Sequence, residues 1–397
     1  MLTLSTKIRN IEESQTLALT AKAKRMKDSG LDVVSLTAGE PDFPTPRHVK
    51  EAAIKAIEAN FTKYTSNSGI TELLDGIIKK FSIDNDLHFE RDQIIVSAGA
   101  KQSIYNVLQA ICNKGDEVVF FSPYWVSYPE MVKLADATPV VVPTSIDNQF
   151  KPDLKRLRNA VHAKTKALIL NSPNNPTGAV FTRSELEDIA EIVRDANIFV
   201  ISDEIYEKVM YDGNKHFSIG SIKSIRDNVI TVNGVSKAYS MTGWRIGYAG
   251  GPLAVMEAAA RVQSQVTSNA NSIAQKATVA ALNGGISDLA AMVEEFKIRR
   301  DFAYEKLRAI PGITVTQPGG AFYFLFDVSK FYGKKNNGQL VKNSADMGTY
   351  LLDHHHVASV PGVAFGDDRC LRISYACSMT ELESGMERIR KGLEALS

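Results

Sequence analysis

Hydrophobic residues come in short unbroken runs through the middle of the chain. The runs are QIIVS (93–97), EVVFF (117–121), TPVVV (138–142), KALIL (166–170), IFVIS (198–202) and VITV (229–232), with a further apolar strand at 246–249. They do not alternate with polar residues, as a strand with one wet face would. Continuous β-branched runs of this length predict strands buried on both faces. Helical segments fall between them, at 100–112, 152–161 and 184–195. This alternation predicts an α/β architecture in which a mostly parallel central sheet is covered by helices.

After Gly284-Gly285 the texture changes. Leu289, Met292, Val293, Phe296, Ala303 and Leu307 fall near one helical face. They predict an amphipathic helix over 288–310, ended by Pro311-Gly312. Strands at 313–316, 321–326, 357–360 and 371–375, with helices at 345–353 and 380–396, make a smaller α+β unit of about a hundred residues. Ahead of the large region stand one helix (16–27, closed by Gly30) and one strand (32–36). That segment is too short for its own core, so it is expected to pack on the small unit or on a partner. The expected division is an N-terminal segment 1–45, a large domain 46–287 and a small domain 288–397. There is no internal repeat, and 333–343 (GKKNNGQLVKN) reads as a polar, loop-like insertion.

Charge narrows the classes of partner. Lys and Arg total 46 and Asp and Glu 45 among 397 residues, a net charge of +1. A near-neutral chain has no global attraction for nucleic acid or anionic membrane, though a local anion site stays open. The 44% hydrophobic and 23% charged fractions exclude disorder. The three cysteines, 112, 370 and 377, are odd in number and form no CxxC, which fits a reducing compartment. The N-terminus is polar, and no run of about 18 apolar residues occurs. The expectation is a cytoplasmic globular protein with no nucleic-acid or membrane partner.

Candidate chemistry gathers at the ends of the buried runs. Lys237 follows VITV in a turn of small residues, where ligands bind in α/β sheets. Desolvation there would lower its pKa and make it a nucleophile toward a carbonyl, although a loop lysine alone is ordinarily plain surface. Asp203 ends IFVIS, where a carboxylate is costly unless paired. It is either a cap or a group that holds a proton on a ring nitrogen. The segment NSPNNPTG is by composition simply a turn, but Asn175 within it would lie at the same sheet edge and could donate to a ring oxygen. The small residues of 97–100 before Lys101 make an ordinary strand-to-helix turn or an anion site. They form neither a P-loop nor GxGxxG, so an anion there would be a single phosphate. Arg372, inside a strand, is either salt-bridged or a fork for a carboxylate. Trp125 is a core residue or a stacking face. Gly39 is a turn glycine or a backbone contact for ligand. The run His354-His355-His356 lacks carboxylate or Cys spacing for a metal and reads as a helix end.

The order of these segments is more informative than any one of them. AGEPDFPTP, KYTSNSGI, SAGAKQ, SPYWVSYPEM, NSPNNPTGAV, SDEIYE, SKAYSMTGWRIGY and LRISYA, in this sequence, resemble a class I aminotransferase of pyridoxal-phosphate fold type I. More narrowly, they resemble the bacterial aspartate aminotransferase subgroup that includes dual aspartate/prephenate enzymes. The resemblance spans nearly the whole chain. It implies pyridoxal 5′-phosphate as cofactor, amino acids and 2-oxo acids as substrates, no metal, and a homodimer with shared active sites. It implies Lys237 as the Schiff-base and proton-transfer lysine and Asp203 as partner of the pyridinium nitrogen. Asn175 and Tyr206 would hydrogen-bond the ring oxygen, and Trp125 would stack on the ring. Ala100, Lys101, Arg245 and Ser236 would hold the phosphate, with Tyr64 reaching the phosphate of the neighbouring subunit. Arg372 would clamp the substrate α-carboxylate beside Gly39 and Asn175.

The implied reaction is L-aspartate plus 2-oxoglutarate giving oxaloacetate and L-glutamate by a ping-pong route. Other donors or acceptors (aromatic, alanine, kynurenine, prephenate) and a fold-type-I lyase are the alternatives. One departure bears on prephenate. Dual-specificity members carry a lysine before the first helix where this chain has Glu12, and an acid there repels a second carboxylate. Ser14 and Thr16 remain as neutral donors to a side-chain carboxylate.

Overall fold

Apolar runs without a wet face fit inside a sheet covered on both sides, and most of them lie there. The computed structural model describes residues 3, 5–9, 11, 15–285, 287–336 and 338–397. Along the chain the strands are β1 (Val34–Ser35), β2 (Ile94–Ser97), β3 (Glu117–Ser122), β4 (Thr138–Pro143), β5 (Thr165–Asn171), β6 (Phe199–Asp203), β7 (Val229–Gly234) and β8 (Gly247–Gly250). Strands β2 to β8 form one seven-stranded sheet in the order β2-β8-β7-β6-β5-β3-β4. β8 is antiparallel to both its neighbours; the other pairings are parallel.

Successive residues of one strand feed opposite cores. Val118, Phe120 and Ile169 pack with the Ala100–Ile111 and Leu253–Val266 helices. Val119, Leu168 and Leu170 pack with the Arg183–Ala196 helix. Each such side chain contributes about 1.5–3 kcal/mol of burial. β4 departs from expectation. TPVVV reads as doubly buried, yet β4 is the edge strand, and Val141 is 42% exposed. Its prolines, 139 and 143, explain the placement, because a residue without an N–H suits an edge.

The smaller unit is built on β9 (Thr314–Val315), β10 (Tyr323–Asp327) and the strands Val360–Pro361 and Cys370–Ser374, all antiparallel. The helices Ser287–Arg308, Ser344–His355 and Met379–Glu394 accompany it. The strand expected at 357–360 is two short ones. Val357–Ala358 pairs in parallel with β1, and Val360–Pro361 pairs with Cys370–Ser374. The chain therefore changes sheets at Ser359, and β1 joins the N-terminal segment to this unit. The polar insertion holds a small ladder, Lys335–Asn336 against Gln339–Leu340. Helices also form at Arg47–Glu58, Thr71–Asn85, Leu253–Val266 and Ser272–Asn283, where the sequence reading placed none. Arg47–Glu58 and Ser272–Asn283 pack on each other through Ala53, Ala56, Ala274, Ala277 and Ala281. Among the described residues no helix is long and apolar enough to cross a membrane.

One close approach prepares the site. β8 passes against the start of the Ala100–Ile111 helix at Gly247, where a Cβ would fall on the backbone of Gly99 and Ala100. Neither backbone can yield without moving the sheet or the helix. Gly247→Ala is expected to destabilise the protein by about 2–3 kcal/mol. Urea unfolding of the two proteins checks this, and an unchanged midpoint would refute it.

Candidate active site

Parallel strands bring their carboxyl ends to one edge, and the register here makes neighbours of the right residues. Asn171 at the end of β5 stands opposite Asp203 at the end of β6. The NSPNNP turn leaves β5 beside them. β7 ends at Gly234, and the turn beyond it carries Ser236 and Lys237. The Ala100–Ile111 helix starts two residues after β2. From the smaller unit, β10 and Cys370–Ser374 bring Tyr323 and Arg372, on adjacent antiparallel strands. These segments enclose a cavity of about 460 Å³.

Gly39, Ala100, Lys101, Trp125, Asn175, Asp203, Tyr206, Ser236, Lys237, Arg245 and Arg372 all line this cavity. Tyr64 does not; it is 92% exposed on its own chain. Glu12 and Ser14 lie outside the described residues, as does the side chain of Thr16.

Asp203 is buried, and burial pushes its carboxyl up to about 6, against the hydrogen bonds that favour its charge. Its Oδ2 accepts from the Tyr128 hydroxyl at 2.7 Å, and Oδ1 from the Ile205 N–H at 3.3 Å. Lys237 is half-buried; its Nζ donates to the Gly39 carbonyl and lies 5.8 Å from the Tyr206 ring centre. Desolvation brings this ammonium down to about 8, with Arg245 and Arg372 pushing the same way and Glu40 and Asp203 opposing. The Tyr206 hydroxyl bonds the Tyr323 hydroxyl at 2.9 Å.

Arg372 is not salt-bridged: the guanidinium is buried, yet no ion pair joins it to a carboxylate among the described residues. Nη1 donates to Asn175 Oδ1 at 3.1 Å and Nη2 to the Thr37 carbonyl at 2.8 Å. The Tyr323 and Phe365 rings flank it, and Nε is buried without a partner. A buried cation held by dipoles and rings alone is poised for an anion.

The opposite wall is also cationic. Gly99, at φ 92°, precedes the Ala100–Ile111 helix and supplies no side-chain cap, so the first-turn N–H groups point outward. Arg245 lies over it, anchored to the Thr242 and Ala98 carbonyls at 3.0 and 3.3 Å. A Cβ on Gly99 would run into that guanidinium. Lys101 sits 4.9 Å from the Trp125 ring centre, its pKa lowered by desolvation and by Arg245. Sequence reasoning missed Tyr128, Tyr323 and Asn171. The first two act through partners 75 and 117 residues away, which no local pattern signals. Asn171 carried a signal, as the polar end of a buried strand.

Comparison with known proteins agrees with this geometry. Residues 31–389 match the family described as aminotransferase class I and II. A bifunctional aspartate aminotransferase and glutamate/aspartate-prephenate aminotransferase of Petunia hybrida is 48% identical, over 99% of this chain and 83% of that protein. An aspartate aminotransferase of Bacillus sp. (strain YM-2) is 46% identical over 97% of this chain and 98% of its own length. Among solved structures, the aspartate aminotransferase of Rhizobium meliloti superposes with a TM-score of 0.97 at 40% identity, both chains fully covered. That of Thermus thermophilus with maleate gives 0.93 at 42%, covering 99% of this chain and all of that one. The fold, the residues gathered at its sheet edge and these full-length matches place the chain in the class I and II aminotransferase family.

Proposed function

We propose that this aminotransferase uses pyridoxal 5′-phosphate to convert L-aspartate and 2-oxoglutarate into oxaloacetate and L-glutamate, in two half-reactions of a ping-pong cycle. The observation that carries the reading is the charge of the cavity. Lys101, Lys237, Arg245 and Arg372 line it against one carboxylate, Asp203. That excess suits a phosphate together with a dicarboxylic substrate. The names of the relatives support aspartate as donor.

The residues fit the cofactor. The uncapped helix start at Ala100 and Lys101, with Ser236 and Arg245, would hold its phosphate, and Gly99 leaves the space that Arg245 fills. Trp125 would cover a ring face, Asn175 and Tyr206 would meet the ring oxygen, and Asp203 would face the ring nitrogen. Tyr64, exposed on its own chain, would complete the phosphate site of a second copy, making the enzyme a homodimer. When bound, the cofactor supplies an electron sink for the pair left by a broken Cα–H bond.

The chain supplies position and proton transfer. Arg372, with Asn175 and Gly39 beside it, would fix the α-carboxylate, so that one Cα–H bond faces Lys237 Nζ. With its ammonium lowered to about 8, Lys237 has an accessible neutral form at cellular pH and can take that proton. Asp203, at about 6, is ionised at neutral pH and would offer a negative charge to the ring nitrogen. Residues 46–287 would then bind the cofactor. Residues 288–397, with 1–45 packed on them, would bring the carboxylate clamp. A cytoplasmic location fits the three free cysteines.

Three measurements test the reading. L-Aspartate added without any 2-oxo acid is expected to change the visible absorbance of the loaded enzyme and release one equivalent of oxaloacetate per site. Unchanged absorbance would remove aspartate as donor while leaving the cofactor in place. In the protein freed of cofactor, acylation of Lys237 should reach half its maximal rate near pH about 8, as the neutral amine grows with pH, instead of near about 10.4 for an ordinary lysine. Peptide mass spectrometry across pH reads this, and a midpoint above 10 refutes it. Arg372→Leu should raise KM for aspartate by about 30-fold or more, since truncating one member of a buried charge pair costs about 2–5 kcal/mol. Steady-state kinetics with KM unchanged would dismiss the clamp.

A further inference from the structure

Behind the site lies a buried ionic cluster with no role in the reading above. The segment Asp203-Glu204-Ile205-Tyr206-Glu207 has two sides. Asp203 and Tyr206 line the cavity, while Glu204 and Glu207 are buried behind it and absent from its wall. Glu204 Oε1 accepts from the Ser202 and Ser218 hydroxyls at 2.8 and 2.7 Å. Its Oε2 meets His216 Nε2 at 2.8 Å and Asn85 Nδ2 at 3.0 Å. Glu207 accepts from Asn85 at 2.7 Å and forms an ion pair with Lys80. Lys80 also donates to Asn85 Oδ1 at 2.6 Å. Asp84, 4.0 Å from Lys80, is paired with Lys208 at 2.6 Å.

Glu204, Glu207 and His216 lie close enough together to suggest a metal centre. The donor set argues against it. Both Glu204 oxygens already accept two hydrogen bonds each, and the Lys80 ammonium occupies the cation's place on Glu207. The cluster closes in charge without an ion: two carboxylates face one ammonium and one imidazole. Burial alone would push His216 down, but Glu204 and then Glu207 outweigh burial and Lys80 and hold the imidazole above its ordinary range. Glu207 is likewise held below the usual carboxylate range, against burial, chiefly by Lys80.

We propose that Glu204 and Glu207, with Lys80, Asn85 and His216, form a neutral buried anchor that positions Asp203 and Tyr206 from behind, and that the charge of His216 keeps the Glu204 carboxylate from acting on Asp203. The inference rests on the reading of Asp203 as the carboxylate that partners the cofactor's ring nitrogen. The cluster ties the segment to the Thr71–Asn85 helix through Lys80 and Asn85, and to the 216–218 loop through His216 and Ser218. Glu204 is the residue next to Asp203, so an unbalanced charge there adds negative potential at the site. With His216 charged, that potential is offset. His216 is thus a positioning residue that touches neither substrate nor cofactor.

Charge and packing separate in two variants. His216→Gln keeps a hydrogen-bond donor for Glu204 but removes the positive charge; Glu204→Gln/His216→Gln removes both charges. The readout is the pH midpoint of the visible absorbance of pyridoxal phosphate bound to the full chain. One lost positive charge makes the site more negative and favours protonated forms. His216→Gln should therefore raise the midpoint by about half to one pH unit, the scale of one charge acting through a protein interior. The double variant should return to within about 0.2 unit of the unsubstituted protein, the non-additivity expected of a coupled pair. An unmoved midpoint in the single variant, or a double variant displaced further than the single, overturns the proposal. NMR of histidine-labelled protein without cofactor decides the charge independently, with His216 assigned by loss of its resonance in His216→Gln or His216→Asn. Titration above the ordinary histidine value is expected; titration at or below it overturns the proposal. Failure of pyridoxal phosphate to bind, with His216 still titrating high, would instead count against the functional reading alone.

Discussion

A guanidinium in a protein interior is costly unless something negative or strongly dipolar meets it. Arg372 is such a group, and three separate parts of the chain are organised around it. It stands on a strand of the smaller unit, donates to Asn175 in the turn after β5, and donates to Thr37 in the N-terminal segment. These are polar contacts with neutral oxygens, so the cation is held without being neutralised. The same contacts bring the smaller unit's sheet against the carboxyl edge of the seven-stranded sheet. Orienting the guanidinium and docking the two units therefore share an interaction, beside the apolar cluster in which Ile205, Tyr206, Val209 and Tyr211 pack with Phe322, Tyr323 and Phe324.

The large sheet was legible because its signal is local. Doubly buried strands need apolar residues at every position, and those runs stand out wherever the chain makes them. Only β4 was misjudged, because valines at a sheet edge look like valines in its middle, and the edge is set by which strand lacks a neighbour. Alanine-rich helices such as Ser272–Asn283 were faint for a related reason. Their burial depends on a second helix far away in sequence, as with Ser272–Asn283 against Arg47–Glu58.

Within the site, residues at strand ends were legible and their supports were not. Asp203 closes an apolar run, Lys237 lies in the turn after another, and Asn175 lies in a turn rich in proline and asparagine. Their expected roles came from the ordered set of motifs, since each residue alone had an ordinary explanation. Tyr128 and Tyr323 show what stays hidden. Each is a buried tyrosine whose importance lies in one hydroxyl contact, with Asp203 and with Tyr206. A sequence shows that such a residue is apolar enough to bury, but not which hydroxyl it will meet. Tyr64 is the opposite case, an aromatic residue that its own fold leaves exposed.

The SDEIYE segment shows how one stretch serves stability and chemistry at once. Cavity-facing Asp203 and Tyr206 interleave with Glu204 and Glu207, whose charges are balanced by fixed partners of this chain. On the cavity side the balance is left open, since Lys101, Lys237, Arg245 and Arg372 face a single carboxylate. Like charges in a confined cavity weaken the fold while it is empty of anions, and any anion bound there stabilises the folded state by mass action. The fixed cluster behind and the open one in front answer different needs. A positioning network works best when every member is satisfied, whereas a binding site needs charges that its own protein leaves unanswered. Placing both on one short segment sets the balanced side rigidly enough for the unbalanced side to hold its geometry.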